Sequence, residues 1–277
     1  MPILNVPNAA VWTSKFSRER VCCLKALRES NNSVDPRIGI IDKRLENVKR
    51  VIAISSGKGG VGKSLIATSL ALSLVKKGFD VGLFDADFTS PSTHRILGVK
   101  KLEVEEDRGI LPMQVHGLKY MSIIAFTGEK ALPLRGAEVS NVLIELFSGV
   151  LWGKLDYLII DMPPGIGDVT LDVVKLVKKI EFLVVCTPSV LAFETVEKLL
   201  TLLKELNVPV IGVIENMKMK RDFPIQEQVV KAGFSFLGAV PFDSEVENAL
   251  GNVDMLFKTV FAQKLAEIVP RIISQDV

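Results

Sequence analysis

Cysteine is scarce in this sequence. Only Cys22, Cys23 and Cys186 occur among 277 residues, too few and too irregularly spaced for a disulfide framework. Neither sign of charge is in excess, with 34 lysines and arginines against 32 aspartates and glutamates and a formal net charge of +2. A nucleic-acid binder normally carries a strong basic surplus, so no nucleic-acid partner is expected. No apolar run reaches the ~18 residues of a membrane-spanning helix. The opening "MPILNVPNAAVWTSKFSRER" has no basic start followed by an apolar stretch, so no signal peptide is expected. Internal repeats and low-complexity tracts are missing as well. A cytoplasmic globular protein is expected, 48% apolar and able to bury one substantial core.

From about Arg50 onward, short apolar runs alternate with helical patterns. The runs are "RVIAIS", "DVGLFD", "LKYMSII", "DYLIID", "EFLVVC", "VPVIGVIEN" and "FSFLGAVP". Each is apolar on both faces, as buried parallel strands are. In the helical stretch "GKSLIATSLALSLVKKG", Ile66, Leu70 and Leu74 recur every four residues and Gly78 ends the pattern. Strand–helix alternation predicts right-handed crossovers, and hence a doubly wound α/β fold around a mostly parallel sheet. Ligands of such sheets sit beyond the carboxyl ends of the strands. Residues 1–48 differ: a polar-faced helical segment, "SKFSRERVCCLKALRES", precedes the turn or linker chemistry of "NNSVDPRIG". The chain divides into an N-terminal extension, 1–48, and a main domain, 49–277.

The densest chemistry lies just after the first strand. Gly57, Lys58, Gly59, Gly60, Val61, Gly62, Lys63 and Ser64 fit G-x-x-x-x-G-K-S/T between a strand and a helix. The glycines let backbone N–H groups converge on phosphate oxygens, and the following helix points its positive end at the same anion. Lys63 then faces the β- and γ-phosphates, and the Ser64 hydroxyl is placed to ligate magnesium. Lys58 is not needed for that cradle; a long cation there can reach outward. Asp85 and Asp87 end the second strand, where a carboxylate can orient an attacking water or cap the next turn. Asp161 ends "LDYLIID", the position of a carboxylate that holds a magnesium shell, and Gly165 follows with a backbone N–H for the γ-phosphate. Asn216 is either an amide that reads adenine or a helix cap.

"GKGGVGKS" resembles the deviant Walker A loop shared by Mrp/ApbC scaffold ATPases, MinD, ParA and nitrogenase iron protein. "DADFTSPSTHRILG", "WGKLDYLIIDMPPGIGD", "VVCTPS" and "NVPVIGVIENM" bring the resemblance to the Mrp/ApbC, or Nbp-type, iron-sulfur cluster carriers, over roughly Leu45 to Val246. That resemblance implies an ATP- and Mg2+-dependent ATPase working as a nucleotide-sandwich homodimer, with iron-sulfur client or assembly proteins as partners. It implies that Lys58 crosses to the partner's nucleotide and that Asp87 positions the attacking water. It also implies that Asn216 meets adenine, flanked by the turn from Pro241 to Asp243.

Two departures from the family pattern stand out. Leu65 occupies the place of a threonine whose hydroxyl touches the α-phosphate. The C-x-x-C that binds a bridging [4Fe-4S] cluster after "ENM" is absent, since the chain runs "ENMKMKRDFPIQEQVVKAG". Cys22 and Cys23 remain as candidate cluster ligands, one from each subunit, although adjacent cysteines chelate a single metal poorly. Cys186 ends a buried strand and is expected to be a core residue. The missing thiolates keep two alternatives open: a MinD/ParA-like positioning ATPase without a cluster, and a nucleotide-dependent regulator with negligible turnover. In the C-terminal stretch Leu256, Val260, Leu265 and Ile268 share a helical face, with Lys258, Lys264 and Arg271 on the polar side. That face is expected to pack on the sheet and not on a membrane surface.

Overall fold

The seven apolar runs become seven parallel strands of one sheet. A computed structural model describes residues 35–128, 136–219 and 223–275. The strands are β1 (Val48–Ser56), β2 (Val81–Asp85), β3 (Glu105–Glu106), β4 (Ile110–Leu111), β5 (Met113–Val115), β6 (Leu118–Ser122), β7 (Leu155–Asp161), β8 (Ile180–Cys186), β9 (Val210–Lys218) and β10 (Phe236–Pro241). Eight of them form a sheet in the order β10-β9-β8-β1-β7-β2-β6-β5. All its pairings are parallel except β5–β6. The edge strand β5 and the small β3–β4 hairpin, which pairs antiparallel, were not expected from the sequence. Both are too short to show a periodicity.

Helices cover both faces: α1 (Pro36–Leu45), α2 (Lys63–Lys76), α3 (Thr93–Ile96), α4 (Ile124–Thr127), α5 (Ala137–Gly149), α6 (Asp168–Leu176), α7 (Val190–Glu205), α8 (Ile225–Lys231), α9 (Glu245–Ala249), α10 (Val253–Leu256) and α11 (Val260–Ser274). The strands' side chains sort alternately into two cores. Val51 and Ala53 of β1 pack with α1, α5, α6, α7 and α8, while Ile52 and Ile54 pack with α2 and α11. Helix α2 packs on the sheet and against α11, which itself packs on β10, so Ile66, Leu70 and Leu74 are fully buried. Gly78 closes it through an N–H donated to the Val75 carbonyl. No described helix is long and apolar enough to cross a membrane.

Two expectations change. Within the stretch read as turn or linker, Pro36–Leu45 is a helix: Asp35 caps it by accepting from the Arg37 N–H at 3.0 Å, and Pro36 opens it. Ile41 and Leu45 bury against the body of the domain. The preceding segment with Cys22 and Cys23 lies outside the described residues. In the C-terminal stretch, Leu265 and Ile268 are buried but Val260 is exposed. The single helical face fails because Thr259 starts a new helix, its hydroxyl accepting from the Ala262 N–H at 3.1 Å, and Leu256 belongs to the separate α10.

The turn after α9 folds back across the sheet to meet the end of α3. The Gly251 N–H donates to the Ile96 carbonyl at 3.2 Å. Gly98 sits beside it with φ +72°, and a Cβ built there would lie 2.3 Å from the Gly251 carbonyl oxygen. Gly98→Ala should therefore cost about 1–3 kcal/mol, from backbone strain and overpacking together. Chemical denaturation measures it; an unchanged midpoint would mean that these turns do not meet as described.

Candidate functional site

At the carboxyl end of the sheet, β1 runs into the phosphate loop and the loop runs into α2. Gly62 makes the last turn at φ +77°, and a Cβ there would also strike the Asn216 amide nitrogen at 2.4 Å. Asn216, buried on β9, donates from Nδ2 to the Val61 carbonyl at 2.9 Å. It therefore clamps the loop, and it caps no helix. Among the described residues no donor reaches its Oδ1.

The loop's cation is already paired. Lys63, only 6% exposed, bonds through Nζ to Oδ1 of the fully buried Asp161. The Ser64 hydroxyl lies 3.5 Å from the same ammonium. Burial raises the Asp161 carboxyl above its ordinary range, and the Lys63 charge opposes that shift. Its other oxygen, Oδ2, is buried with no hydrogen-bond partner. An orphaned carboxylate oxygen beside a hydroxyl is a donor set that suits a hard cation such as magnesium.

Strand register brings a second carboxylate alongside. Asp85 of β2 pairs with Asp161 of β7 across the parallel ladder. Asp85 turns away from the loop to anchor α3, accepting from the Thr93 hydroxyl at 2.6 Å and from the Ser92 and Thr93 N–H groups at 3.2 Å. The Tyr120 hydroxyl completes this buried cluster, 2.8 Å from Thr93 Oγ1. Asp87 lines the cleft instead. Its Oδ1 accepts from the Thr89 hydroxyl at 2.7 Å and the Ser90 N–H at 3.1 Å, while no described donor reaches Oδ2.

The loop forms the floor of a cleft of about 540 Å³. Lys58, Gly59, Gly60, Val61, Gly62, Lys63, Ser64, Leu65 and Asp87 all line it, so nine of the expected residues converge here. Lys58 is exposed. Gly165 comes close but is engaged, its N–H donating to the Ser56 carbonyl at 2.9 Å. Pro241 and Asp243 do not line the cleft. Pro241 ends β10, and the Asp243 carboxylate accepts from the Glu245 N–H at 3.0 Å and the Phe261 N–H at 3.1 Å, tying two helices together. The far wall is made by Val246, Glu247 and Leu250 of α9 and its turn, facing Arg95 and Ile96. Sequence reading missed these, and the only available signal was the i, i+4 spacing of Val246 and Leu250 just past "VPFD".

Cys186 is buried, and burial followed by the nearby Glu215 charge pushes its thiol up to about 12. Such a thiol stays protonated and ligates nothing. Among the described residues no cluster of three or more Cys, His, Asp or Glu side chains is placed to hold a metal ion.

Comparison with known proteins agrees with this geometry. The ParA family model described as NUBPL iron-transfer P-loop NTPase matches residues 47–275. The iron-sulfur cluster carrier protein of Aquifex aeolicus is 37% identical over 220 residues, which make up 74% of this chain but 60% of that protein. The chain thus spans about 60% of that relative's length. A nucleotide-binding protein from Archaeoglobus fulgidus, solved in complex with ADP, is 32% identical with a TM-score of 0.68, covering 79% of this chain and 92% of that one. The cell division ATPase MinD of Pyrococcus furiosus shares the fold at 22% identity, with a TM-score of 0.63 over 81% of this chain and 98% of its own.

Burial, and then the Asp161 carboxylate, push Asp85 up to about 7, with the Thr93 hydrogen bonds pulling the other way. The folded chain therefore keeps a proton that the unfolded chain, at an ordinary value of 3.8, has already released. Stability contributed here should fall as pH rises from about 4 to about 7 and then level off. Asp85→Asn abolishes the titration but keeps an acceptor for Thr93. Its denaturation midpoint should change less than the wild type's between about pH 5 and about pH 8, and equal changes would mean that Asp85 titrates normally.

Proposed function

The chain belongs to the ParA family of NUBPL-type iron-transfer P-loop NTPases, and on that premise we propose that it is a magnesium-dependent ATPase of the iron-sulfur cluster carrier kind, working as a homodimer. The observation that carries the reading is the phosphate loop whose Lys63 is held on the Asp161 carboxylate at the tip of the neighbouring strand. When a nucleotide enters, the Lys63 ammonium can turn from Asp161 to the β- and γ-phosphate oxygens. Asp161 and Ser64 are then the residues that would hold magnesium. Magnesium, when bound, offsets the charge that develops between the two terminal phosphates. Asp87 keeps Oδ2 for the attacking water, which adds to the γ-phosphorus as the bond to the bridging oxygen breaks, releasing ADP and phosphate. The Gly165 N–H reaches the γ-phosphate only by leaving the Ser56 carbonyl. Asn216 Oδ1 is available to an adenine amino group, with the turn from Pro241 to Asp243 near the base.

The dimer is supported by what surrounds Lys58. Ile166, Val190, Leu191, Met219 and Phe242 are exposed, and each follows the carboxyl end of β7, β8, β9 or β10. These ends share one edge of the sheet, so the apolar side chains and the free-standing Lys58 crowd the face that carries the nucleotide. A second copy docked there would cover them and bring Lys58 to its partner's phosphates. Lys63→Ala should lose ATP binding, whereas Lys58→Ala should bind ATP nearly normally but lose turnover and ATP-induced dimerisation. Equilibrium binding and sedimentation separate the two; equal loss of binding would make Lys58 part of its own cradle.

The residues present do not fit a [4Fe-4S] cluster at the family's position. The segment from Glu215 to Gln226 has no cysteine, and the buried Cys186 thiol is held protonated. No step is routed through a cluster, and the positioning and regulatory alternatives rest on this absence. Anaerobic reconstitution should leave no stable cluster, or one that depends on Cys22 and Cys23 of both subunits. Broad absorbance near ~400 nm that survives in a Cys22→Ser, Cys23→Ser double variant would contradict this account.

A further inference from the structure

Arg95 projects from a short helix into the same cleft, and nothing above gives it a task. It is exposed on the wall shared with Ser64 and Leu65. Among the described residues its guanidinium has no ion-pair or hydrogen-bond partner. By contrast, Arg37 and Arg50 are ion-paired, and Arg44 and Arg271 donate to backbone carbonyls. An arginine left unpaired beside a phosphate loop is a fork without its ligand.

The backbone that carries it is held from both sides. At the front, buried Asp85 takes the Ser92 and Thr93 N–H groups and the Thr93 hydroxyl. Behind it, the Ile96 carbonyl accepts from Gly251, and Gly98 packs on the Gly251 backbone. This gives a purpose to the otherwise unused Asp85: it fixes where the arginine stands.

The lining of the cleft is of two kinds. Lys63 and Ser64, beside Asp161, are the groups for terminal phosphates and metal, as the G-x-x-x-x-G-K-S pattern requires. Ile96, Val246 and Leu250 add apolar lining suited to a nucleoside. Arg95, next to Ile96 in the chain, lines the cleft together with both sets. Leu65, the residue after Ser64 on the first turn of α2, offers the phosphates no side-chain donor. A guanidinium supplies five donors in a planar fork that matches phosphate oxygens. We propose that Arg95 grips the α-phosphate of the bound nucleotide, an assignment that rests on the nucleotide-site reading above.

Equilibrium binding of ATP, ADP and adenosine to the full chain tests it. Arg95→Ala should weaken ATP and ADP alike, by about 10- to 100-fold, and leave adenosine unchanged. Arg95→Lys should recover part of the loss, because an ammonium restores charge without the fork. Both variants should unfold at the wild-type temperature, since the side chain is exposed and makes no ion pair or hydrogen bond among the described residues. A loss below about twofold, or one confined to ATP, overturns the assignment, the second by moving Arg95 to the terminal phosphate. If the wild type binds neither ATP nor ADP, the nucleotide reading fails and this one with it.

Discussion

Everything at the site depends on one buried ion pair, Lys63 with Asp161. Both groups are almost fully withdrawn from water, and neither tolerates burial without the other. Removing one partner of such a pair typically costs about 3–5 kcal/mol, because the remaining charge is left uncompensated. The pair also joins the two central strands: Lys63 follows β1 through the loop, and Asp161 ends β7, which lies against β1. The loop is thereby held in shape before any ligand arrives. Asp161 can hold the ammonium only while it keeps its charge, and that in turn favours a proton on its neighbour Asp85. A site built this way is preorganised, and its cation can be transferred from carboxylate to phosphate with little movement of the backbone.

The parts legible in the sequence are those written in local chemistry. Seven apolar runs announce seven parallel strands because both faces of all but the edge strand β10 are largely buried, so polarity cannot alternate. The phosphate loop is readable because glycines, lysine and serine must recur at fixed spacing. Other features depend on residues far apart in the chain and leave no local trace. Asp85 and Asp87 are two residues apart and look alike, yet one anchors α3 and the other lines the cleft; only the register against β7 separates them. The wall made by Val246 and Leu250 exists because the turn after α9 crosses back to Gly98. Asn216 reads in the sequence as a base-facing amide, and its brace on the loop through the Val61 carbonyl shows only in the fold. The helix at Pro36–Leu45 was hidden behind turn-forming residues that are in fact its cap.

The chain keeps the family's nucleotide machinery in place while lacking the thiolates that would carry a cluster beyond β9. The two features belong to different parts of the fold. The loop, Asp87 and Asp161 lie at the strand tips around β1, where substitution would disturb the buried pair and the core beneath it. The cysteine-free stretch instead belongs to the chain between β9 and α8, and connections between elements tolerate changes of composition. A nucleotide site can therefore persist on this scaffold whatever the connection holds. The exposed apolar residues beyond β7 to β10 would give the proposed dimer its contact surface.

The most direct test of the central claim is a calorimetric titration of the wild-type chain with ATP, with and without magnesium. A site built on Lys63, Ser64 and Asp161 predicts one saturable nucleotide per chain, with affinity falling clearly when magnesium is chelated. No saturable binding, or an affinity indifferent to magnesium, would contradict it.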